Sequence, residues 1–202
     1  GNSESDNQEN AEAVWDGNYV AVQHLEEESG VADDSTSNGN DGTPVGGLTQ
    51  GVSGMIDGAS EFDGSDDRIH LPQLFNTQPQ FTVEAWANVN KDRSYIASQR
   101  DTSRNGFILW HYQNGYYELY VNTVSIYARA SENNWHHVVG SFDGSTMRLY
   151  IDGQEEAVGS SSLTWPALLT YIGDRDALGR AFGGMIDEVR FSDTARRAGY
   201  VE

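Results

Sequence analysis

The segment from Trp135 to Gly153, WHHVVGSFDGSTMRLYIDG, restricts the fold more than any other stretch of the sequence. It predicts a β-hairpin, because apolar residues fall on one face of each strand, on either side of a polar Asp143-Gly144 turn. These apolar residues are Val138, Phe142, Met147, Leu149 and Ile151. A hairpin with one apolar face is not stable alone in water, so the rest of the chain must supply a second sheet to cover it.

The rest of the chain has the same strand-like character. Residues 81–89, FTVEAWANV, alternate cleanly, and about twelve short segments of this kind are separated by turn residues. The pattern predicts an all-β domain, either a sandwich of two antiparallel sheets or a barrel. A helical turn is expected only over Thr194–Ala198, with Asp193 as its N-cap. The acidic segment Gly1–Glu12 predicts a flexible linker, followed by one domain over residues 13–202.

Charge and composition exclude several classes of partner. The chain has 31 acidic and 12 basic residues, a formal net charge of -19, so neither nucleic acids nor anionic membranes are expected partners. It has no cysteine, which excludes disulfides and zinc–thiolate sites. No apolar run approaches the roughly 20 residues of a spanning helix, so membrane insertion is not expected. Lys91 is the only lysine, which suits a saline environment and is explained equally well by GC-rich coding bias.

An oxygen-rich loop between residues 26 and 43 is the first candidate site. Four side chains with hard oxygen ligands lie within eight residues: Asp34, Asn38, Asn40 and Asp41. Calcium prefers such oxygens, so one interpretation is a Ca²⁺ site. The alternative is an acidic loop that binds nothing, and the spacing does not match an EF-hand loop.

A dense group of aromatic residues between Gly106 and Tyr127 is the second candidate site. On the strand GFILWHY, alternation places Ile108, Trp110 and Tyr112 on one face. Phe107, Leu109 and His111 fall on the other face. One face belongs to the core and the other is available for stacking on sugar rings, unless all the aromatic residues are core. With hydrogen-bonding side chains from two loops, the candidate ligand-binding residues are Arg100, Trp110, Tyr112, Tyr117, Asp174 and Arg175.

No catalytic residue is predicted. The E-x-D-x-x-E strand of retaining glycosidases is absent, since FTVEAW carries a single carboxylate, Glu84. Asp187 and Glu188 are adjacent on a strand and point to opposite faces. No G-x-S-x-G motif is present.

Taken together, six segments of the chain resemble the laminin G-like jelly roll of the concanavalin A-like lectin/glucanase group. They are DSTSNGNDGT, EFDGSDDRI, FTVEAWANV, NWHHVVGSFDGSTMRLYIDG, YIGDRD and GGMIDEVRFS. The resemblance covers residues 14–192 and implies two antiparallel sheets with neighbouring first and last strands. It also implies a structural Ca²⁺ where the first loop meets the last strand. Asp34, Asn38, Asn40 and Asp187 match the positions of its ligands.

The resemblance and the residues together predict a non-catalytic, calcium-stabilised binding module. We expect it to belong to a larger secreted or cell-surface protein and to recognise a glycan or a surface protein, as in adhesion. Other domains of the same polypeptide are expected partners. Two alternatives stay open: a carbohydrate-active enzyme, either glycoside hydrolase or polysaccharide lyase, and a structural spacer without a glycan site.

Overall fold

The computed structural model describes residues 14–174 and 180–197 as an all-β fold of fifteen strands. The strands are β1 (Tyr19–Gln23), β2 (Thr43–Val45), β3 (Thr49–Ser53), β4 (Gly58–Asp63), β5 (Arg68–Leu71), β6 (Phe81–Val89), β7 (Ser94–Arg100), β8 (Gly106–Gln113), β9 (Tyr116–Val121), β10 (Val124–Arg129), β11 (Trp135–Phe142), β12 (Thr146–Ile151), β13 (Gln154–Ser160), β14 (Thr170–Ile172) and β15 (Gly183–Ser192). Within these described ranges there is no helix long and apolar enough to cross a membrane. The predicted linker over residues 1–12 lies outside them.

The strands form two sheets. The eight-stranded sheet has the order β13-β12-β11-β6-β15-β4-β3, with β1 also paired to β15, and the seven-stranded sheet has the order β10-β9-β8-β7-β14-β5-β2. All of the strand pairs are antiparallel, which confirms the predicted two-sheet sandwich. The pairing of β1 with β15, for example Ala21 with Phe191, confirms that the first and last strands are neighbours.

The predicted hairpin is β11 and β12, and its five apolar residues all lie in the core. Val138 pairs with Ile151 and Phe142 with Met147, so the apolar faces of the two strands coincide. Gly144 adopts a φ of 99°, which favours glycine, and the Asp143 carboxylate accepts hydrogen bonds from the N–H groups of the same turn. The inner faces of both sheets then meet in one cluster of buried aromatic and aliphatic side chains.

One strand and one expected turn differ from what the sequence pattern predicts. The glycine-rich stretch 45–58 is loop-like in sequence, yet residues 49–53 form β3, whose exposed, polar sequence is held by backbone pairing with β4. The helical turn predicted over Thr194–Ala198 is wrong for residues 194–197, which are not helical. The Ala195 N–H donates to Gln80 Oε1 and the Arg196 N–H donates to Thr82 Oγ1, so these donors are used by β6 and its preceding loop.

Candidate functional site

The outer face of the seven-stranded sheet carries the aromatic residues of the second candidate site. Phe107 and Leu109 of β8 point into the core between the sheets. Ile108 and Trp110 point outwards and form a second cluster with Tyr95 of β7, against which Tyr112 and Tyr120 pack. The alternation of β8 therefore separates core residues from outward-facing ones, and the interpretation that all the aromatic residues are core is wrong.

A cleft of about 580 Å³ opens on this face. Strands β7 to β10 form its floor because their outward-facing residues stand side by side in the register of the sheet. Its aromatic lining consists of Tyr95, Trp110, Tyr112, Tyr120 and Tyr127. Its charged lining consists of Arg100, Asp101, Arg104, Glu118 and Arg180.

The aromatic rings form a continuous series from the floor to the rim of the cleft. Ring centroids are 5.0 Å apart for Tyr95 and Trp110, 5.2 Å for Trp110 and Tyr112, and 6.2 Å for Tyr112 and Tyr127. Trp110 is buried, whereas Tyr127 at the rim is 47% exposed. The buried rings at the floor pack beneath the others, and the exposed ring of Tyr127 at the rim has a free surface on which a ligand can stack.

Two arginine side chains are fixed by aromatic rings rather than by carboxylates. Arg100 Nη2 donates to the Tyr120 hydroxyl at 3.0 Å, and its Cζ lies 4.2 Å from the centre of that ring. Arg180 Nη1 donates to the Tyr95 hydroxyl at 2.8 Å and stacks on Trp110. Each guanidinium has five N–H donors, so such contacts position the group and leave donors for hydroxyl groups of a ligand.

Glu118 of β9 places a buried carboxyl group among the residues that line the cleft. The Ser125 hydroxyl of β10 donates to its Oε1. Burial raises the pKa of Glu118, and the Ser125 hydrogen bond, the nearby Trp110 indole and the charges of Arg100 and Arg180 oppose that shift only in part. The site thus pairs arginine donors with a carboxyl group that resists ionisation.

Asp101 lies at the cleft as well, in the loop between β7 and β8. Its two carboxylate oxygens accept hydrogen bonds from the backbone N–H and the side-chain amide of Asn105, each at 2.8 Å. Burial opposes ionisation, yet these bonds, the Ser103 N–H and the charge of Arg100 hold the pKa of Asp101 below its ordinary value. Asp101 is therefore an ionised group that holds its own loop.

The predicted ligand-binding residues separate into three groups. Arg100, Trp110 and Tyr112 line the cleft. Tyr117 lies in the core between the sheets, because it alternates with the outward-facing Glu118 on β9, and Asp174 is buried apart from the cleft lining. Arg175 falls outside the described residues.

The sequence places Tyr120 and Tyr127 in the aromatic group and Arg180 in a candidate loop, but none of them, nor Glu118, is among the predicted ligand-binding residues, and the structure places all four at the cleft. The outward-facing alternation of β9 and β10 gives a local signal for Glu118, Tyr120 and Tyr127. Arg180 follows β14 in the chain, and its backbone and side-chain contacts with Tyr95 bring it to β7, without a local sequence signal.

The predicted calcium ligand Asp34 is engaged by the chain itself. Its Oδ1 accepts hydrogen bonds from the N–H groups of Val22 and Thr36, both at 3.0 Å. Its Oδ2 accepts from the Thr36 hydroxyl and the Asn40 N–H, both at 2.9 Å. A carboxylate has about four lone-pair sites, so these bonds occupy all of them.

The other three predicted ligands also contact the backbone. The side-chain amide of Asn38 donates to the carbonyl oxygens of Tyr19 and Val20, and that of Asn40 donates to Val20. Asp187 Oδ2 accepts from the N–H groups of Met55 and Ile56 at 2.8 and 2.9 Å. In this arrangement the four side chains hold loop backbones by hydrogen bonds, and those to Asp34 use all of its acceptor sites. Calcium binding by them stays a prediction.

The fold and the cleft define a class: a lectin-like jelly-roll sandwich whose exposed sheet face carries a potential ligand site. The family model of the concanavalin A-like lectin/glucanases superfamily matches residues 63–202. The chain therefore belongs to that superfamily. No curated protein matches the chain.

Solved structures share the fold at low sequence identity. Domain 4 of AbnA, an extracellular arabinanase of Geobacillus stearothermophilus solved with arabinotriose, is similar with a TM-score of 0.73 and 20% identity, covering 91% of this chain and 96% of that chain. The binding domain of Paraclostridial Mosquitocidal Protein 1 has a TM-score of 0.74 and 14% identity, over 92% of this chain and 51% of that chain. A Trypanosoma rangeli sialidase has a TM-score of 0.66 and 13% identity, over 93% of this chain and 33% of that chain.

Proposed function

We propose that this domain is a non-catalytic carbohydrate-binding module of an extracellular protein and that the cleft on the seven-stranded sheet is its glycan site. The observation that carries the proposal is the cleft itself, in which exposed tyrosine rings, arginine donors and one buried carboxyl group lie together. Sugar rings present apolar faces to aromatic side chains and hydroxyl groups to polar ones, so a site needs both kinds of contact.

The comparison with the arabinanase domain supports the same proposal. That domain was solved with arabinotriose, and this chain covers almost all of it. The toxin binding domains and the sialidase are longer, and this chain covers about half and a third of them. We therefore propose a carbohydrate partner in preference to a protein receptor.

The cleft suggests a division of roles among its residues. Tyr127, half exposed at the rim, presents its ring to an apolar sugar face, with Tyr112 beside it. Arg100 and Arg180 donate to hydroxyl or ring oxygens with the N–H groups that tyrosine does not use. Because Glu118 has a raised pKa, its carboxyl group is able to donate as well as accept a hydrogen bond over part of the acidic range.

The test is a binding screen against neutral and acidic polysaccharides, followed by calorimetry with the best oligosaccharide. Tyr127→Ala should weaken binding about tenfold or more, since loss of one stacking ring costs about 1–2 kcal/mol. Tyr116→Ala is the matched control, because Tyr116 is 41% exposed on the neighbouring strand and does not line the cleft. No binding to any polysaccharide, or equal losses in both variants, would contradict the proposal.

Glycoside hydrolysis is the second candidate function, and one observation favours it. Asp101 and Glu118 line the same cleft, and their pKa values shift in opposite directions, as in an acid and its partner carboxylate. Against it, both oxygens of Asp101 are engaged by Asn105. Release of reducing ends that disappears in Glu118→Gln would replace the binding proposal, whereas binding without release supports it.

A further inference from the structure

A histidine and two acidic residues meet at one end of the sandwich, on the core side of β8. Asp92 lies in the β6–β7 loop, His111 on β8 and Glu132 in the β10–β11 loop. One ligand atom of each residue lies within 4.8 Å of the others. Three segments that are distant in sequence thus bring an imidazole and two carboxylates together.

The distances suit ligands of a single metal ion. His111 Nε2 lies 3.4 Å from Glu132 Oε1, and two ligands held at about 2.0–2.1 Å with a tetrahedral angle lie about 3.3 Å apart. An ion bound through Nε2 does not contact Nδ1, which lies 4.0 Å from Asp92 Oδ1, so the part of Asp92 is argued from the separation of the three ligand atoms, all within 4.8 Å of one another.

His111 is fully buried, and its Nε2 has no hydrogen-bond partner among the described residues. Its Nδ1 lies 3.3 Å from the carbonyl oxygen of Lys91. A neutral imidazole has one N–H. If Nδ1 carries it and donates to Lys91, Nε2 is unprotonated and lies 3.4 Å from Glu132 Oε1, and these two acceptor atoms repel each other unless a proton or a metal ion lies between them.

The backbone fixes both carboxylates without using all their oxygens. The Asn114 N–H donates to Asp92 Oδ1 at 3.0 Å, and the Gly115 N–H donates to Glu132 Oε1 at 2.7 Å. Both donors belong to the β8–β9 turn, so that turn holds the two acidic side chains on either side of His111. Such fixing of ligand side chains by neighbouring donors is typical of metal sites.

We propose that Asp92, His111 and Glu132 bind one divalent transition-metal ion, represented by Zn²⁺. An imidazole nitrogen with carboxylates suits zinc and its neighbours, whereas calcium takes oxygen ligands. The charge of the ion balances the two carboxylates, and three protein ligands leave a fourth position for water. Because the ion joins two loops to strand β8, it stabilises this end of the sandwich independently of the cleft.

The test uses the full chain, stripped of metal with a chelator and titrated with zinc chloride against a chromophoric competitor. We expect one ion per chain and a melting temperature that rises with zinc concentration. Glu132→Gln and Asp92→Asn should each weaken zinc binding at least tenfold, and because both side chains are partly exposed the fold should survive. Zinc binding that is absent, or unchanged in both variants, would overturn the proposal.

A matched control separates this site from surface histidines. Asp152 pairs with His136 at 2.7 Å and is not part of the cluster, so Asp152→Asn should leave the zinc affinity unchanged. Nitrogen NMR of the His111 ring gives a second readout. A zinc-dependent shift of Nε2 is expected, whereas an imidazolium with both nitrogens protonated in the presence of zinc would show that the cluster is an ion pair instead.

Discussion

The outer faces of the two sheets differ in the groups to which their arginines donate, although an arginine lies over an aromatic ring on both faces, as Arg190 does over Trp15 at 5.2 Å. On the eight-stranded sheet, Arg190 donates to Glu188 at 2.8 Å and lies 3.9 Å from Glu84. On the seven-stranded sheet, Arg100 and Arg180 donate to tyrosine hydroxyls and stack on rings. The first face pairs charges with each other and serves stability. The second face keeps polar groups in a cleft, where a ligand can use them.

Removing one arginine from each face should separate stability from binding, and this is the largest effect we expect. Arg190→Ala removes the guanidinium partner of the buried carboxylates of Glu84 and Glu188 and leaves only the His137 and His24 rings beside them, which should cost about 2–4 kcal/mol of unfolding free energy. This is less than for a fully buried pair, because the Arg190 side chain is 26% exposed. Denaturant unfolding measures the loss, and glycan affinity should be unchanged.

Arg100→Ala is the counterpart in the cleft. It should weaken glycan binding about tenfold while costing under about 1 kcal/mol of stability. A large loss of stability in Arg100→Ala, or a loss of glycan affinity in Arg190→Ala, would remove the distinction between the faces.

Asp34→Asn tests whether the Asp34 carboxylate stabilises the first loop through hydrogen bonds within the chain or by binding calcium. The amide nitrogen of asparagine cannot accept, so acceptor sites for two of the four hydrogen bonds are lost and unfolding should become easier by about 1–3 kcal/mol. If the hydrogen bonds carry the effect, the loss is the same in calcium and in EDTA. A loss confined to calcium-containing buffer would instead assign Asp34 as a calcium ligand.

The pair of His24 and Glu188, at the edge of the charge-paired face, predicts a modest pH dependence. The hydrogen bond to Glu188 raises the pKa of His24 above 6.5 despite burial. Burial opposes ionisation of Glu188, but His24 and Arg190 hold its pKa below 4.5. The His24 contribution is complete below pH 6.5 and is lost as pH rises through its folded-state pKa.

The Glu188 contribution is complete above pH 4.5 and is lost as pH falls through its own folded-state pKa. The pair is therefore most stabilising between about pH 4.5 and 6.5. Unfolding free energy should fall as the pH rises above this window. In His24→Gln this fall should be smaller, by under about 1 kcal/mol, since His24 is partly exposed. An unchanged decline would contradict the role of the pair.

Tyr117→Phe should have the smallest effect of these variants. Its hydroxyl is buried with no hydrogen-bond partner among the described residues, so removing it leaves no new unsatisfied group. We expect stability within about 0.5 kcal/mol of the parent and unchanged glycan affinity. Weakened glycan binding would indicate that Tyr117 belongs to the ligand site, as the sequence predicts.

The fold was accessible from the sequence where period-two alternation is strong, as on β8 and in the hairpin of β11 and β12. The polar edge strand β3 was missed because backbone pairing leaves no apolar pattern. The helical turn after Asp193 was wrong because side chains from Gln80 and Thr82 bind its backbone, and such long-range contacts have no local signal.

The residues of the cleft could be predicted from the sequence only in part, because long-range contacts bring some of them together. Trp110 and Tyr112 follow from the alternation of one strand. Tyr127 joins them through the register of β8, β9 and β10, and Arg180 through a contact with a residue 85 positions away. The burial that raises the pKa of Glu118 is also a property of the assembled sheet.

The most direct measurement of the central claim is NMR mapping of amide and indole shifts during titration with the best-binding oligosaccharide. The glycan-site proposal predicts the largest shifts on β7 to β10, including the indole N–H of Trp110 and the backbone of Arg100 and Asp101. Shifts confined to the outer face of the eight-stranded sheet, around Arg190 and Glu84, would contradict it.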